Sequence, residues 1–179
     1  MKHNRRRSIM LRVLVPSDGS RNALHAIRHV LHEYDQNHAL DIHLLNVQPP
    51  FSALICEHSS KIARTDFHQE QADAALAPAR RVLDDAGVPY TAHSKVGDTV
   101  DCIVDMAAEL HCDGIVMGTA RKSSLVRLVE SSVTNKVLER AHVPVEVIAG
   151  ESASTLERVG IPAGIGAGAG ILALWMAAN

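Results

Sequence analysis

A chain of 179 residues has room for one ordinary domain with a single good core. Its 18 Lys and Arg stand against 20 Asp and Glu, and only 3% of its residues are aromatic. That balance excludes an overall field for nucleic acid or an anionic membrane, and a base-stacking platform with it. A hydrophobic content of 46% excludes a disordered chain. Cys56, Cys102 and Cys112, odd in number and without a CxxC pair, exclude a secreted disulfide framework and suit a reducing cytoplasm.

In chain order, residues 1–8 carry Lys2, Arg5, Arg6 and Arg7. Arg12, Pro16 and Asp18 break the apolar run that a secretory signal would need, so this stretch reads as a basic leader. LRVLVP (11–16) is a short strand closed by Pro16. From Ser20 to Glu33 the residues Leu24, Ile27, Val30 and Leu31 share one helical face. DIHLLNV (41–47) is a second strand, stopped by Pro49 and Pro50. Phe51–Ser59 reads as a loop, followed by a long helical stretch to Ala86 that ends at Gly87 and is interrupted or kinked at Pro78.

VPYTAHSKV (88–96) alternates as a third strand. Asp98 or Thr99 caps a helix that turns Val100, Ile103, Val104 and Ala107 inward and ends near His111. DGIVMG (113–118) is a buried fourth strand and VPVEVI (143–148) a fifth, with a helix between them capped by Ser131 or Ser132 and running to about Ala141. This alternation calls for an α/β fold, a mostly parallel sheet with helices on both faces. Ligands of such sheets sit at the carboxyl ends of the strands, here the loops after Val15, Val47 and Met117.

Beyond a polar connector (150–158) lies a Gly/Ala-rich apolar tail, 159–179. It holds five of the eleven glycines and the only Trp, and no side chain after Arg158 is charged. Val159–Ala178 is long enough to span a bilayer, which takes about 20 apolar residues. Glycine and alanine dilute it, however, and no Lys or Arg cluster flanks it. Gly160, Gly164 and Gly168 give small residues at four-residue spacing, the pattern of closely packed helices. Three readings stand for residues 159–178: a helix packed on the protein's own dimer or oligomer, a membrane contact, or a disordered tail.

Six segments in this order and spacing resemble the universal stress protein family. They are Pro16, Ser17, Asp18 and Ser20 after the first strand, LLNV (44–47), VGD (96–98), DGIVMG (113–118), SSVTNKVL (131–138) and AHVPVEVI (141–148). The likeness covers about residues 9–149. It implies a five-stranded parallel-type sheet of order 3-2-1-4-5 with helices on both faces, the adenine nucleotide alpha hydrolase-like arrangement, and commonly a homodimer through the last strand. Val143–Ile148, apolar on both sides of Glu146, suits such an edge pairing.

Members of the family that bind ATP resemble one another in G-x2-G-x9-G-[ST], whose glycines let backbone N–H groups approach phosphate. Here Gly118 matches the first glycine, Arg121 replaces the second and Ser131 the third, with Ser132 and then Val133 following. A positive φ at the second position would cost a non-glycine residue about 1–2 kcal/mol. A basic loop with Arg121, Lys122 and Arg127 is either a solvated surface or a charge cradle for phosphate. On the adenosine side the resemblance is fuller. It implies a pocket from Pro16, Ser17, Asp18, Val47, Met117 and Gly118, with Asp18 at the adenine, although an Asp after a strand also serves as a helix cap.

Other constellations are weaker. His25, His29 and His32 form one helical stripe without an evident carboxylate partner, and Cys56 with His58 is a sparse pair, so no metal is expected. Cys102 and Cys112 read as small packed residues. The loops offer no acid/base pair and no P-loop lysine, which points away from an enzyme. The resulting expectation is a cytoplasmic, non-enzymatic, dimeric stress-response protein acting through protein partners. Its alternative is an ATP-binding sensor, possible despite the degenerate motif, with nucleotide occupancy controlling partner binding and the tail touching a membrane.

Overall fold

The computed structural model describes residues 10–121 and 133–152. The basic leader, Ser131, Ser132 and the apolar tail lie outside the described residues. The chain runs β1 (Leu11–Pro16), α1 (Arg21–Asn37), β2 (Leu40–Gln48), α2 (Ala53–His58), α3 (Lys61–Asp85), β3 (Tyr90–Val96), α4 (Thr99–Glu109), β4 (Gly114–Arg121), α5 (Val133–Arg140) and β5 (Val145–Ser152). The five strands are parallel and ordered β3-β2-β1-β4-β5, as the family resemblance implies.

Strand alternation divides the core between the two faces. Val15, Ile42, Leu44 and Val116 meet Ile27 and Val30 of α1 and Leu76 and Leu83 of α3. Leu14, Leu45, Ile115 and Met117 point the other way, onto Val100, Ile103 and Met106 of α4 and Val137 of α5. Each fully buried Leu or Ile stabilises the fold by about 1.5–3 kcal/mol of transfer free energy, so both helix layers are held chiefly by apolar burial.

Several elements differ from expectation. Phe51–Ser59 is not a loop: Ser52 Oγ accepts from Ile55 N and caps the six-residue α2. Pro78 does not end α3, which runs through it for 25 residues. The buried Ala72, Leu76, Ala79 and Leu83 bracket the proline and outweigh the one lost backbone bond. The fifth strand starts two residues later and extends four further than read from VPVEVI, because β4 itself continues to Arg121 and keeps offering partners. Met106 is an inward residue of α4 beyond those the spacing picked out.

A polar ladder crosses the amino-terminal half of the α4 face. Arg12 Nε donates to Asp41 Oδ2 at 2.8 Å, and that hydrogen bond holds the Asp41 carboxyl below its ordinary range. His43, buried, places Nε2 3.3 Å from the same oxygen and Nδ1 2.9 Å from His93 Nε2, and the two rings stack at 5.2 Å between centroids. Burial first, then His43 and Lys95, push the His93 imidazole below its ordinary value of 6.5. One nitrogen of the pair must keep its lone pair, so the native state disfavours charging both rings.

The unfolded chain takes up the His93 proton near pH 6.5, above the folded value. Stability from this source is therefore full above that pH and is lost as pH falls through the folded value. Denaturant midpoints measured from pH 7.5 down to 5 are expected to decline, and His93→Gln to flatten the decline.

Candidate functional site

At the carboxyl end of the sheet, β1, β2 and β4 open on a cavity of about 160 Å³. The loop after β1 forms one wall and is built from short-range hydrogen bonds. Ser17 N donates to Leu45 O at 2.8 Å, so the loop starts locked to β2. Asp18 Oδ1 accepts from Ser20 N at 2.9 Å, and Ser20 Oγ accepts from Ala23 N at 3.2 Å. The cap of α1 is thus Ser20, whereas Asp18 braces that cap from an exposed position at the rim.

Behind the loop, Asn46 is a buried amide with two protein partners. Its Nδ2 donates to Ser17 O at 2.8 Å and its Oδ1 accepts from Gln48 Nε2 at 2.7 Å. The opposite wall comes from α4, whose Thr99 and Ile103 line the cavity. Asp98 aims that helix: its carboxylate accepts from Val100 N and Asp101 N, and the Asp101 N–H is the chief reason its carboxyl sits below the ordinary range. Leu45, Val47, Ile103 and Met117 make an apolar interior, with Ser17, Asp18, Ser20 and Asn46 at the polar side.

Of the ten residues singled out from the sequence, Pro16, Ser17, Asp18, Val47, Met117, Gly118 and Val133 line this one cavity. Ser131 and Ser132 lie outside the described residues. Arg121 is not in a loop: it ends β4, paired with Ser152 of β5, after a register shift between Thr119 and Arg121. Extended backbone suits arginine, so the strain of a left-handed second glycine does not arise there. The sequence reading missed Ala23, Leu45, Asn46, Thr99 and Ile103 as wall residues. Asn46 carried a usable signal, a polar side chain directly after the buried Leu44 and Leu45 and before Val47. Thr99 and Ile103 carried none, because only the crossing of α4 over β2 brings them in.

Two glycines have steric reasons of their own. A Cβ at Gly118 would stand 1.8 Å from Asn22 O, so β4 and the first turn of α1 meet backbone to backbone. Gly19, at φ +79°, is left-handed, and a Cβ there would stand 3.0 Å from Ala75 O of α3.

The histidine stripe on α1 separates into unrelated contacts. His29 Nε2 lies 2.9 Å from Glu146 Oε1 without the alignment of a hydrogen bond, and His32 Nε2 lies 2.8 Å from Gln36 Nε2. No group of three metal-ligating side chains forms among the described residues. Burial raises the thiols of Cys102 and Cys112 above their ordinary range, in keeping with packed residues, whereas Cys56 is exposed.

Residues 10–149 match the model of the universal stress protein family. The chain belongs to that family. A universal stress protein of Methanocaldococcus jannaschii is 30% identical over 140 residues, covering 76% of this chain and 81% of that protein. Among solved structures, an Arabidopsis thaliana universal stress protein family member with AMP bound is similar at a TM-score of 0.59. It is 20% identical, over 86% of this chain and 98% of its own. A universal stress protein in complex with cAMP is similar at 0.58, also 20% identical, over 79% and 98%. This universal stress protein domain shares its fold with them; what its own cavity holds depends on its own residues.

Gly118→Ala is expected to lower the unfolding free energy by about 1–3 kcal/mol or more, because two backbones must separate to admit the methyl group. Gly150→Ala serves as the comparison. Its Cβ would meet Asn22 Oδ1, the tip of a side chain that can turn away, so denaturant unfolding should show a smaller loss.

Proposed function

We propose that this universal stress protein is a non-enzymatic regulator whose cavity takes the adenosine part of a nucleotide, with mono- or cyclic phosphate favoured over triphosphate. The observation that carries the reading is the convergence of seven sequence-selected residues on one cavity with an apolar interior and the Asp18 carboxylate at its rim. Val47, Ile103 and Met117 offer apolar walls suited to a planar base, and a carboxylate at the rim is an acceptor for an exocyclic amine. The AMP and cAMP complexes of the two structural relatives support the same ligand class.

The phosphate side argues against ATP. Gly118 is accounted for by the approach of α1, and the other two glycine positions carry Arg121 and Ser131. Of the three glycines of the phosphate motif only Gly118 is present, and the approach of α1 already requires it. Asp18 is the single ionisable side chain on the described cavity wall, which gives no acid/base pair for cleavage and supports a binding role. Occupancy would act by changing a surface offered to protein partners, in a cytoplasmic homodimer joined at the β5 edge.

Acid extraction of the purified protein and nucleotide chromatography, followed by calorimetric titration, test this. AMP or cAMP is expected to bind with ATP weaker, and Asp18→Ala to weaken AMP binding by roughly tenfold, the equivalent of about 1.4 kcal/mol. Restoring glycine with Arg121→Gly and Ser131→Gly should strengthen ATP and leave AMP unchanged. Stoichiometric ATP in the wild-type extract would overturn the preference.

A further inference from the structure

The segment from Ser52 to Gln71 holds no buried residue, although it comprises all of α2 and the first eleven residues of α3. Burial on α3 begins only at Ala72. Yet four of the nine large hydrophobics that stand exposed among the described residues fall in it: Leu54 at 68%, Ile62 at 74%, Ile55 and Phe67. Scattered surface leucines are ordinary, but four large apolar side chains exposed within residues 54–67, with no buried residue among them, give this two-helix arm apolar surface to offer a partner.

The same chain carries a segment that needs cover. Residues 159–178 contain no charged side chain and include Ile161, Ile165, Ile171, Leu172, Leu174, Trp175 and Met176. The topology brings the two together. All strands are parallel, so the ends of β2, which leads into α2, and of β5, which leads toward the tail, lie at the same end of the sheet. Only β1 and β4 stand between them, a separation of about 14 Å at about 4.8 Å per strand. Residues 153–158, six in number, span up to about 20 Å when extended, so the tail begins within reach of the arm.

We propose that residues 159–178 dock on the exposed apolar side chains of α2 and the first half of α3. The contact is intramolecular and needs little intrinsic affinity, because a short connector holds the tail at an effective concentration in the millimolar range. A membrane is the poorer occupant: glycine and alanine dilute the tail, and the near-neutral net charge of -2 supplies no attraction to anionic lipid.

The chain supplies both probes. Its only Trp, Trp175, reports on the tail, and the exposed Cys56 on α2 reports on the arm. In lipid-free buffer the full-length protein is expected to show blue-shifted Trp175 emission. Leu54→Asp with Ile62→Asp should move that emission toward the solvent-exposed position without changing the far-ultraviolet circular dichroism, since both side chains lie on the surface. Leu172→Asp should raise the alkylation rate of Cys56 roughly tenfold, as expected of a contact worth about 1.4 kcal/mol. Emission that ignores the arm substitutions overturns the proposal. So does a blue shift that requires vesicles of phosphatidylcholine and phosphatidylglycerol, which assigns the tail to a membrane. A blue shift lost on dilution together with a halving of mass also overturns it, in favour of a second copy.

Discussion

The approach of β4 to the first turn of α1 sets the geometry on which the cavity depends. With Asn22 O standing where a Cβ of residue 118 would be, α1 starts directly over the end of the fourth strand. That start fixes Ser20 as the cap, Ser20 N as the group Asp18 must hold, and hence the place of the Asp18 carboxylate at the rim. Helix packing at ordinary side-chain separation, about 8–10 Å between axes for helix pairs, would leave the loop further from β4. One missing methyl group therefore positions a carboxylate on a different strand's loop.

The sheet was legible because the signals were redundant. Alternation, the prolines after β1 and β2, and the small polar residues before α1 and α4 all point the same way, and Ser20 and Asp98 cap where their side chains allow. Of the arm, the helical stretch of α3 was legible and α2 was not, since six residues with no buried position give no periodic contrast between two faces. Arg121 misled for another reason: motif spacing assigned it to a loop, whereas the pairing of β4 with β5 carried the strand through it. Strand length is decided by what the neighbour offers, and local sequence holds no record of the neighbour. The His29 contact with Glu146 is of the same kind, joining residues 117 positions apart across two elements.

A glycine held by a motif and a glycine held by the fold look identical in a sequence. At position 118 the two demands coincide, so its presence says little about phosphate. The apolar walls are built mainly by Leu45, Val47, Ile103 and Met117, side chains set by strand alternation and by the crossing of α4, with Gly118 as the one glycine of the motif that also lines the cavity.

Helix α3 has a place in this that its sequence alone would not suggest. Its middle abuts the loop that carries Asp18, with Gly19 against the backbone of Ala75, while its first eleven residues stand clear of the core. At about 1.5 Å per residue it is a rod of roughly 37 Å gripped over its second half. No hydrogen bond links Gly19 to Ala75; the two backbones simply touch. A contact of that sort transmits compression and not tension. Displacement of the rod toward the loop would press Asp18 and its neighbours toward the cavity, whereas displacement away would leave them where their own hydrogen bonds hold them. The place of Asp18 thus rests on its own hydrogen bond to Ser20 N, and α3 only limits how far the loop can give way behind it.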